Sequence, residues 1–158
     1  MIYTNYKGQK QTPDENDIVI NRSGIWAAVF DSHDRLLVSR PEYDHSVIEL
    51  PGGGIEEGED KQHSLLREIE EEAGVSFDEL DPIQTFTQHV KFLAWDKNEF
   101  WNYDQEYWIV KLDNSDDYFF GKRQTKENAF GEWIEKRNIK EYSFHHTHFE
   151  ALKAMGVF

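Results

Sequence analysis

The chain has no cysteine among its 158 residues, so disulfide frameworks, thiolate metal sites and cysteine nucleophiles are all excluded. Proline is scarce, at four residues, and no Pro- or Ser-rich linker or internal repeat divides the sequence. Long apolar runs are missing too. None approaches the roughly 20 residues that span a bilayer, and Met1 to Lys10 carries no stretch resembling a secretory signal. Basic residues are in deficit: 17 Lys+Arg stand against 31 Asp+Glu, a formal net charge of −14. A chain that acidic is repelled by nucleic-acid backbones and anionic membranes, which argues against polymer and membrane partners. Together these absences lead to the expectation of a cytoplasmic protein.

What is present suffices for a core. Aromatic residues make up 15% of the chain, which separates it from a disordered acidic tail. The length suits a single domain over residues 1–158, with the polar stretch 1–16 as an arm or edge strand. Ile25, Trp26, Val29 and Phe30 precede the polar turn Asp31-Ser32-His33-Asp34, and Leu36-Leu37-Val38 follows, a hairpin pattern. Val47 to Leu50 reads as a short strand that stops at Pro51 and the glycines Gly52, Gly53 and Gly54. The spacing predicts a helix over Asp60 to Ala73, with Asp60 as cap and Gly74 as left-handed terminator. Further strands are expected over Pro82 to Trp95, Gln105 to Leu112 and Gly131 to Ile134. A closing helix spaces Phe149, Leu152 and Met155 along one stripe. Many strands with one central and one terminal helix predict an α/β fold, a mixed sheet with helices packed on it.

The central helix carries the chemistry. At 100° per residue, Leu65, Leu66, Ile69 and Ala73 form a core-facing stripe, while Glu68, Glu71 and Glu72 share a second sector. Like charges at this spacing cost a helix roughly 0.2–0.5 kcal/mol per pair. Arg67 offsets part of that, and Glu59 lies just outside the helix. A solvated acidic face is the plain alternative. Two features count against it: the carboxylates are not interleaved with lysines, and they follow glycines whose bare backbone lets carbonyls approach a ligand. Clustered carboxylates with exposed carbonyls suit Mg²⁺ or Mn²⁺, hard ions that take oxygen ligands and work alongside substrate phosphates.

Gly53, five residues, Glu59, seven residues, Arg67-Glu68-Ile69, one residue, Glu71-Glu72, one residue, Gly74-Val75 resembles the complete Nudix box, G-x5-E-x7-R-E-U-x-E-E-x-G-U with U aliphatic. The approach Ile48-Glu49-Leu50-Pro51-Gly52 and the segment Glu132-Trp133-Ile134 with its closing helix are similar to the family's usual flanks. The resemblance implies an α/β/α sandwich around a mixed central sheet. It implies hydrolysis of the pyrophosphate in a nucleoside diphosphate linked to another moiety, with Mg²⁺ or Mn²⁺ and an attacking water. Glu68, Glu71 and Glu72 would be metal ligands, joined by the backbone carbonyl of Gly52 or Gly53. Glu59 would support the metal shell, and Arg67 would orient a glutamate through an ion pair. Glu49, Leu50 and Pro51, leading into the box, would lie against the substrate.

The general base has two candidates. Lys126-Glu127, shortly before Gly131-Glu132-Trp133, is similar to the segment of mutator-type nucleoside triphosphate pyrophosphohydrolases that carries a further glutamate. Glu127 is one candidate, as base or as an additional metal ligand, with an ordinary loop glutamate as the alternative; Glu68 is the other candidate base. Arg40, after the Leu36–Ser39 strand, is a candidate phosphate contact or simply an exposed strand-end arginine. His145, His146 and His148 lack a recognised zinc spacing. By resemblance to the mutator type, His146 would line a nucleobase pocket. The aromatic-rich segment Phe92 to Trp108 reads as a lid over a base or as a contact in a homodimer.

Substrate choice is set outside the box. The proline that the ADP-ribose group places about fifteen residues on is replaced here by Val90, and the tyrosine of the dinucleoside polyphosphate group by Lys91, Phe92 and Leu93. The basic approach sequence of the coenzyme A group is not evident either. A small nucleotide, a nucleoside triphosphate foremost and an oxidised one included, is the resulting expectation. Hydrolysis of ADP-ribose, a nucleotide sugar or a dinucleoside polyphosphate remains the alternative, as does a non-catalytic nucleotide-binding module. Such a module would be expected to lose box carboxylates, and this chain keeps them. The isomerase that shares the fold needs a cysteine that is not there.

Overall fold

The computed structural model describes residues 1–113, 123–125 and 128–158. Its strands are β1 (Tyr3–Thr4), β2 (Lys10–Gln11), β3 (Ile18–Phe30), β4 (Arg35–Arg40), β5 (Gly52–Gly54), β6 (Pro82–Ala94), β7 (Glu99–Lys111), β8 (Arg123–Gln124) and β9 (Phe130–Glu135). Helix α1 covers Lys61–Ala73, a 3₁₀ helix covers Lys136–Glu141, and helix α2 covers His146–Ala154. The strand order is β2-β1-β6-β7-β3-β4-β9-β8, with β5 paired to β3. β3 and β7 run parallel in unbroken register from Ile18↔Glu99 to Phe30↔Lys111, while β6 and β7 form an antiparallel hairpin. The sheet is therefore mixed.

The period-2 alternation of β3 explains the layers. Trp26, Ala28 and Phe30 point to one face, where Ala151 and Leu152 of α2 and its C-cap residue Met155 complete the core. Ile25, Ala27 and Val29 point to the other, against Leu65, Ile69 and Ala73 of α1. Both faces of one strand are covered by helices, which is the α/β/α sandwich that the sequence leads us to expect. Each fully buried Leu or Ile in these layers contributes about 1.5–3 kcal/mol.

Three sequence expectations change. The strand over Val47 to Leu50 reduces to single bridges, Ser39↔Glu49 and Ile48↔Phe144. The extended pairing lies instead at β5, because glycines can press against β3: a Cβ on Gly52 would sit 2.2 Å from the Ile25 carbonyl oxygen. β7 begins at Glu99, earlier than the alternation from Gln105 suggests, because Phe100, Trp101 and Tyr103 already pair with β6 and β3. The polar arm is tied to the sheet edge, where Tyr3 packs on Leu93 and Phe100. Among the described residues no helix is long and apolar enough to cross a membrane.

Candidate functional site

Helix α1 is positioned by its ends and its apolar stripe. The Asp60 carboxylate accepts the His63 N–H at 2.8 Å. Gly74, at φ 70° and ψ 22°, closes the last turn by donating to the Glu70 carbonyl. With Leu65, Ile69 and Ala73 fully buried, the acidic sector turns toward β5. There the Glu72 Oε2 accepts the Gly52 N–H at 3.1 Å. The Glu68 carboxylate lies so close to Gly53 that a Cβ on that glycine would come within 3.2 Å of it.

Arg67 bridges two carboxylates. Its guanidinium donates to Glu59 at 3.2 Å and to Glu68 at 3.3 Å. Glu59 also accepts the Glu56 N–H at 3.0 Å. That hydrogen bond, and then the Arg67 charge, hold its carboxyl below the usual range. Glu71 is half-buried and adds to the negative field that favours the charged Arg67. Glu127 lies outside the described residues.

Among the described residues no three Asp, Glu or His side chains close round one point as a protein-only cage. The donor set still fits Mg²⁺ or Mn²⁺. It is all oxygen, two of its carboxylates lie against the Gly52-Gly53 backbone, and such ions keep waters and take one or two carboxylates plus substrate phosphates.

Beside this acidic face is a cavity of about 310 Å³ with Glu49 and Glu72 in its wall. Its remaining wall is largely aromatic: Trp26, Phe92, Trp101 and Tyr103 from the sheet, and His145 and His148 at the start of α2. Glu49 accepts the Tyr43 hydroxyl at 2.6 Å. Crowding by surrounding protein pushes its carboxyl up to about 7 although the residue keeps some solvent contact; the Tyr43 hydrogen bond pulls the other way. The Tyr43 phenol is itself raised, by crowding from surrounding protein first and the Glu49 charge second, although the residue keeps solvent contact. The His145 and His148 rings stack at 4.1 Å. Burial first, and each one's neighbouring histidine second, depress both: His145 to about 3, His148 well below its ordinary value. His148 Nδ1 accepts the Leu50 N–H at 3.2 Å, whereas His145 Nδ1 is buried with no hydrogen-bond partner among the described residues.

Several residues expected at the substrate do not line this cavity. Leu50 is fully buried in the α2-side core, and the Pro51 carbonyl accepts the Ala27 N–H at 3.0 Å, so both belong to the frame and only Glu49 reaches the cavity. His146 is one position off: its ring packs over Gly8 and its N–H donates to the Tyr6 carbonyl at 2.7 Å. The neighbour His145 and, three residues on, His148 share the inward face of the first turn. Arg40 donates to Glu132 at 2.9 Å and to the His45 carbonyl at 3.1 Å, so its guanidinium is already engaged.

Other residues come together that spacing does not reveal. Arg22 lies over the Trp101 ring at 4.6 Å, with an Nη2 3.1 Å from where a Cβ on Gly54 would be. No carboxylate among the described residues forms an ion pair with it in the structure, which leaves a cation beside the glycines. Trp101 and Tyr103, expected in a lid or dimer contact, point inward because β7 is central in the sheet. Tyr6, from the arm, lines the cavity as well. A second, more open hollow of about 690 Å³ shares Tyr43, Glu49 and Glu72 with the first and extends past Pro41 and Ala129.

A family model described as NUDIX domain matches residues 20–155. Over 61 residues the chain is 43% identical to the RNA pyrophosphohydrolase of Rhizobium meliloti (strain 1021), covering 37% of this chain and 34% of that protein. Over 84 residues it is 30% identical to the bis(5'-nucleosyl)-tetraphosphatase (asymmetrical) of Sus scrofa, covering 53% of this chain and 52% of the other. The matched stretches thus span a third to a half of these curated relatives. The crystal structure of a MutT NUDIX hydrolase from Burkholderia pseudomallei is similar, with a TM-score of 0.56 at 19% identity over 84% of this chain and 96% of that one. At that identity the likeness is one of fold.

Proposed function

The chain belongs to the NUDIX domain family, and from that premise we propose that it hydrolyses a pyrophosphate bond in a nucleoside 5'-polyphosphate. A nucleoside triphosphate, giving the monophosphate and pyrophosphate, is the leading substrate. One observation carries the reading: the aromatic cavity has Glu72 of the acidic helix face in its wall, so a base held there delivers its phosphates to the carboxylates.

Glu68, Glu71 and Glu72 would hold the divalent ion with the carbonyl of Gly52 or Gly53, Glu59 supporting them. A bound Mg²⁺ or Mn²⁺ neutralises the phosphates and lowers the pKa of a water. The protein's own side chains do the rest. Arg67 keeps Glu68 and Glu59 in place through its two ion pairs. Arg22, stacked on Trp101 and without a carboxylate partner among the described residues, contacts a phosphate. The aromatic walls exclude water and orient the base. The proton of the attacking water goes to Glu68 of the acidic face in the first instance and to Glu127 in the second.

The second hollow supports one other reading. Two spaces flank Tyr43, Glu49 and Glu72, as a substrate with a nucleoside at each end would require. A dinucleoside polyphosphate is therefore the second reading. The test is phosphate and nucleotide release with Mg²⁺ from nucleoside triphosphates, dinucleoside tetraphosphates, 5'-triphosphorylated RNA, ADP-ribose and nucleotide sugars. We expect turnover of a nucleoside triphosphate or a dinucleoside tetraphosphate, and its loss in Glu71→Gln and Glu72→Gln. No metal-dependent turnover across the panel would overturn the enzyme reading.

A further inference from the structure

We propose that the N-terminal arm, which precedes the NUDIX match at residues 20–155, determines substrate specificity by contributing Tyr6 to the cavity wall. The proposal rests on the reading of that cavity as a nucleobase site.

The arm is a small folded unit. Asn5 Oδ1 accepts the N–H groups of Lys7 and Gln9 at 2.9 and 3.0 Å, and its Nδ2 donates to the Gln9 side chain at 2.9 Å. The Asn5 N–H donates to the Gln9 carbonyl and the Gly8 N–H to the Asn5 carbonyl, closing a five-residue loop. Gly8 turns it at φ 84°, and without a side chain there the His146 ring can close over it. The His146 N–H then pins the Tyr6 carbonyl, so the first turn of α2 fixes where the Tyr6 ring goes.

That ring is 6% exposed and lies among cavity-lining residues from three separate parts of the chain. It meets Tyr43 edge-on at 5.2 Å, Trp95 at 6.1 Å and His145 at 6.1 Å. Its hydroxyl donates to Asp44 at 3.0 Å, and Lys7 reaches the same carboxylate at 3.7 Å. Tyr43 and Trp95 are 44% and 50% exposed, so they form the rim and Tyr6 is the wall between them. A rigid ring in that position sets the width available to a planar base. Thinning the wall widens that space and favours a two-ring base over a one-ring base, and thickening it does the reverse.

The test is binding of guanosine and cytidine 5'-monophosphate without metal, read by the fluorescence of Trp26, Trp95 and Trp101, which line the cavity. In Tyr6→Ala the ratio of guanosine to cytidine affinity should rise, and in Tyr6→Trp it should fall. Each shift should be roughly three- to tenfold, the size of one aromatic contact. Tyr6→Phe keeps the ring and should stay within about twofold of wild type. The KM of the best panel substrate should follow these affinities while kcat changes little. A ratio unchanged in both Tyr6→Ala and Tyr6→Trp, each melting cooperatively, overturns the proposal. Should Tyr6→Ala not fold, an unchanged ratio in Tyr6→Trp alone does so. An unchanged ratio in the Tyr6 variants, where wild-type protein turns over the panel, refutes the arm's role alone. Wild type that neither binds nor turns over nucleotides refutes the functional reading beneath it.

Discussion

Gly52 donates its backbone N–H to the Glu72 carboxylate at 3.1 Å. This bond joins the strand that enters the box to the last acidic residue on its helix. The distance between the Gly52-Gly53 carbonyls and the carboxylates of α1 is thereby set before any ligand arrives, a preorganisation that costs nothing at the moment of reaction.

Replacing Glu72 by Gln separates charge from shape. The amide oxygen can still accept the Gly52 N–H, so the melting temperature should stay close to wild type. Metal-dependent turnover should fall by roughly 10²- to 10³-fold, as expected for a lost ligand or its support. Steady-state rates against Mg²⁺ concentration, paired with thermal melts, check this. Activity above a tenth of wild type would remove Glu72 from the ligand set.

Arg67 should matter to rate more than to stability. Its side chain is 44% exposed, and exposed ion pairs contribute about 0–1 kcal/mol. Arg67→Ala should melt within a few degrees of wild type yet lose roughly tenfold or more in kcat, because Glu59 and Glu68 lose their common anchor. Arg67→Lys should recover only part of the loss, since an ammonium cannot present the planar fork that spans both carboxylates.

The raised Glu49 carboxyl gives stability a signed pH dependence. Its folded value, about 7, lies above the ordinary 4.5, so the folded state holds a proton that the unfolded chain has released. The contribution is complete below pH 4.5 and is lost as pH rises through 7. Glu49→Gln should remove that decline and be more stable than wild type at pH 8, by on the order of 1–2 kcal/mol for a carboxyl that keeps some solvent contact. Thermal melts without divalent ions from pH 4 to 8 measure it. An unchanged profile would contradict the burial of this carboxyl.

The stacked histidines act in the opposite sense. His145 is depressed to about 3 from 6.5, so its stabilising contribution is complete above pH 6.5 and is lost as pH falls toward 3. His145→Phe preserves the stack on Phe92, 5.6 Å away, without a titrating ring. Its melting temperature should fall less steeply than that of wild type between pH 6 and 4. Parallel curves for the two proteins would show that His145 does not resist protonation.

Much of the acidic half of the site is legible in the amino-acid sequence. The 3.6-residue period alone separates Leu65, Ile69 and Ala73 from Glu68, Glu71 and Glu72, and the Asp60 and Gly74 caps bound the helix. These are consequences of hydrogen bonds and side-chain spacing within one turn, which any sequence carries locally. The glycines are legible as a place of close approach, though as a turn and not as the strand β5.

The cavity is not legible in this way. It is assembled by Tyr6, Glu49, Phe92, Trp101, Tyr103 and His145, which no short window contains. Which aromatic faces inward on β7 depends on its register with β3 and β6. Which histidine faces inward depends on where α2 begins. A shift of one residue would exchange the faces of β7 and turn α2 by about 100°, and His146 misses the cavity by that single step. Glu49 and Arg22 show the same limit, since a crowded carboxyl and a cation without an acid partner among the described residues are properties of surroundings and not of residue type. By itself the sequence determined an acidic helix face, its caps and the glycines that meet it, because local geometry is encoded locally. Tertiary structure alone decided what stands beside that face, because strand register and helix docking bring together residues that the chain keeps far apart.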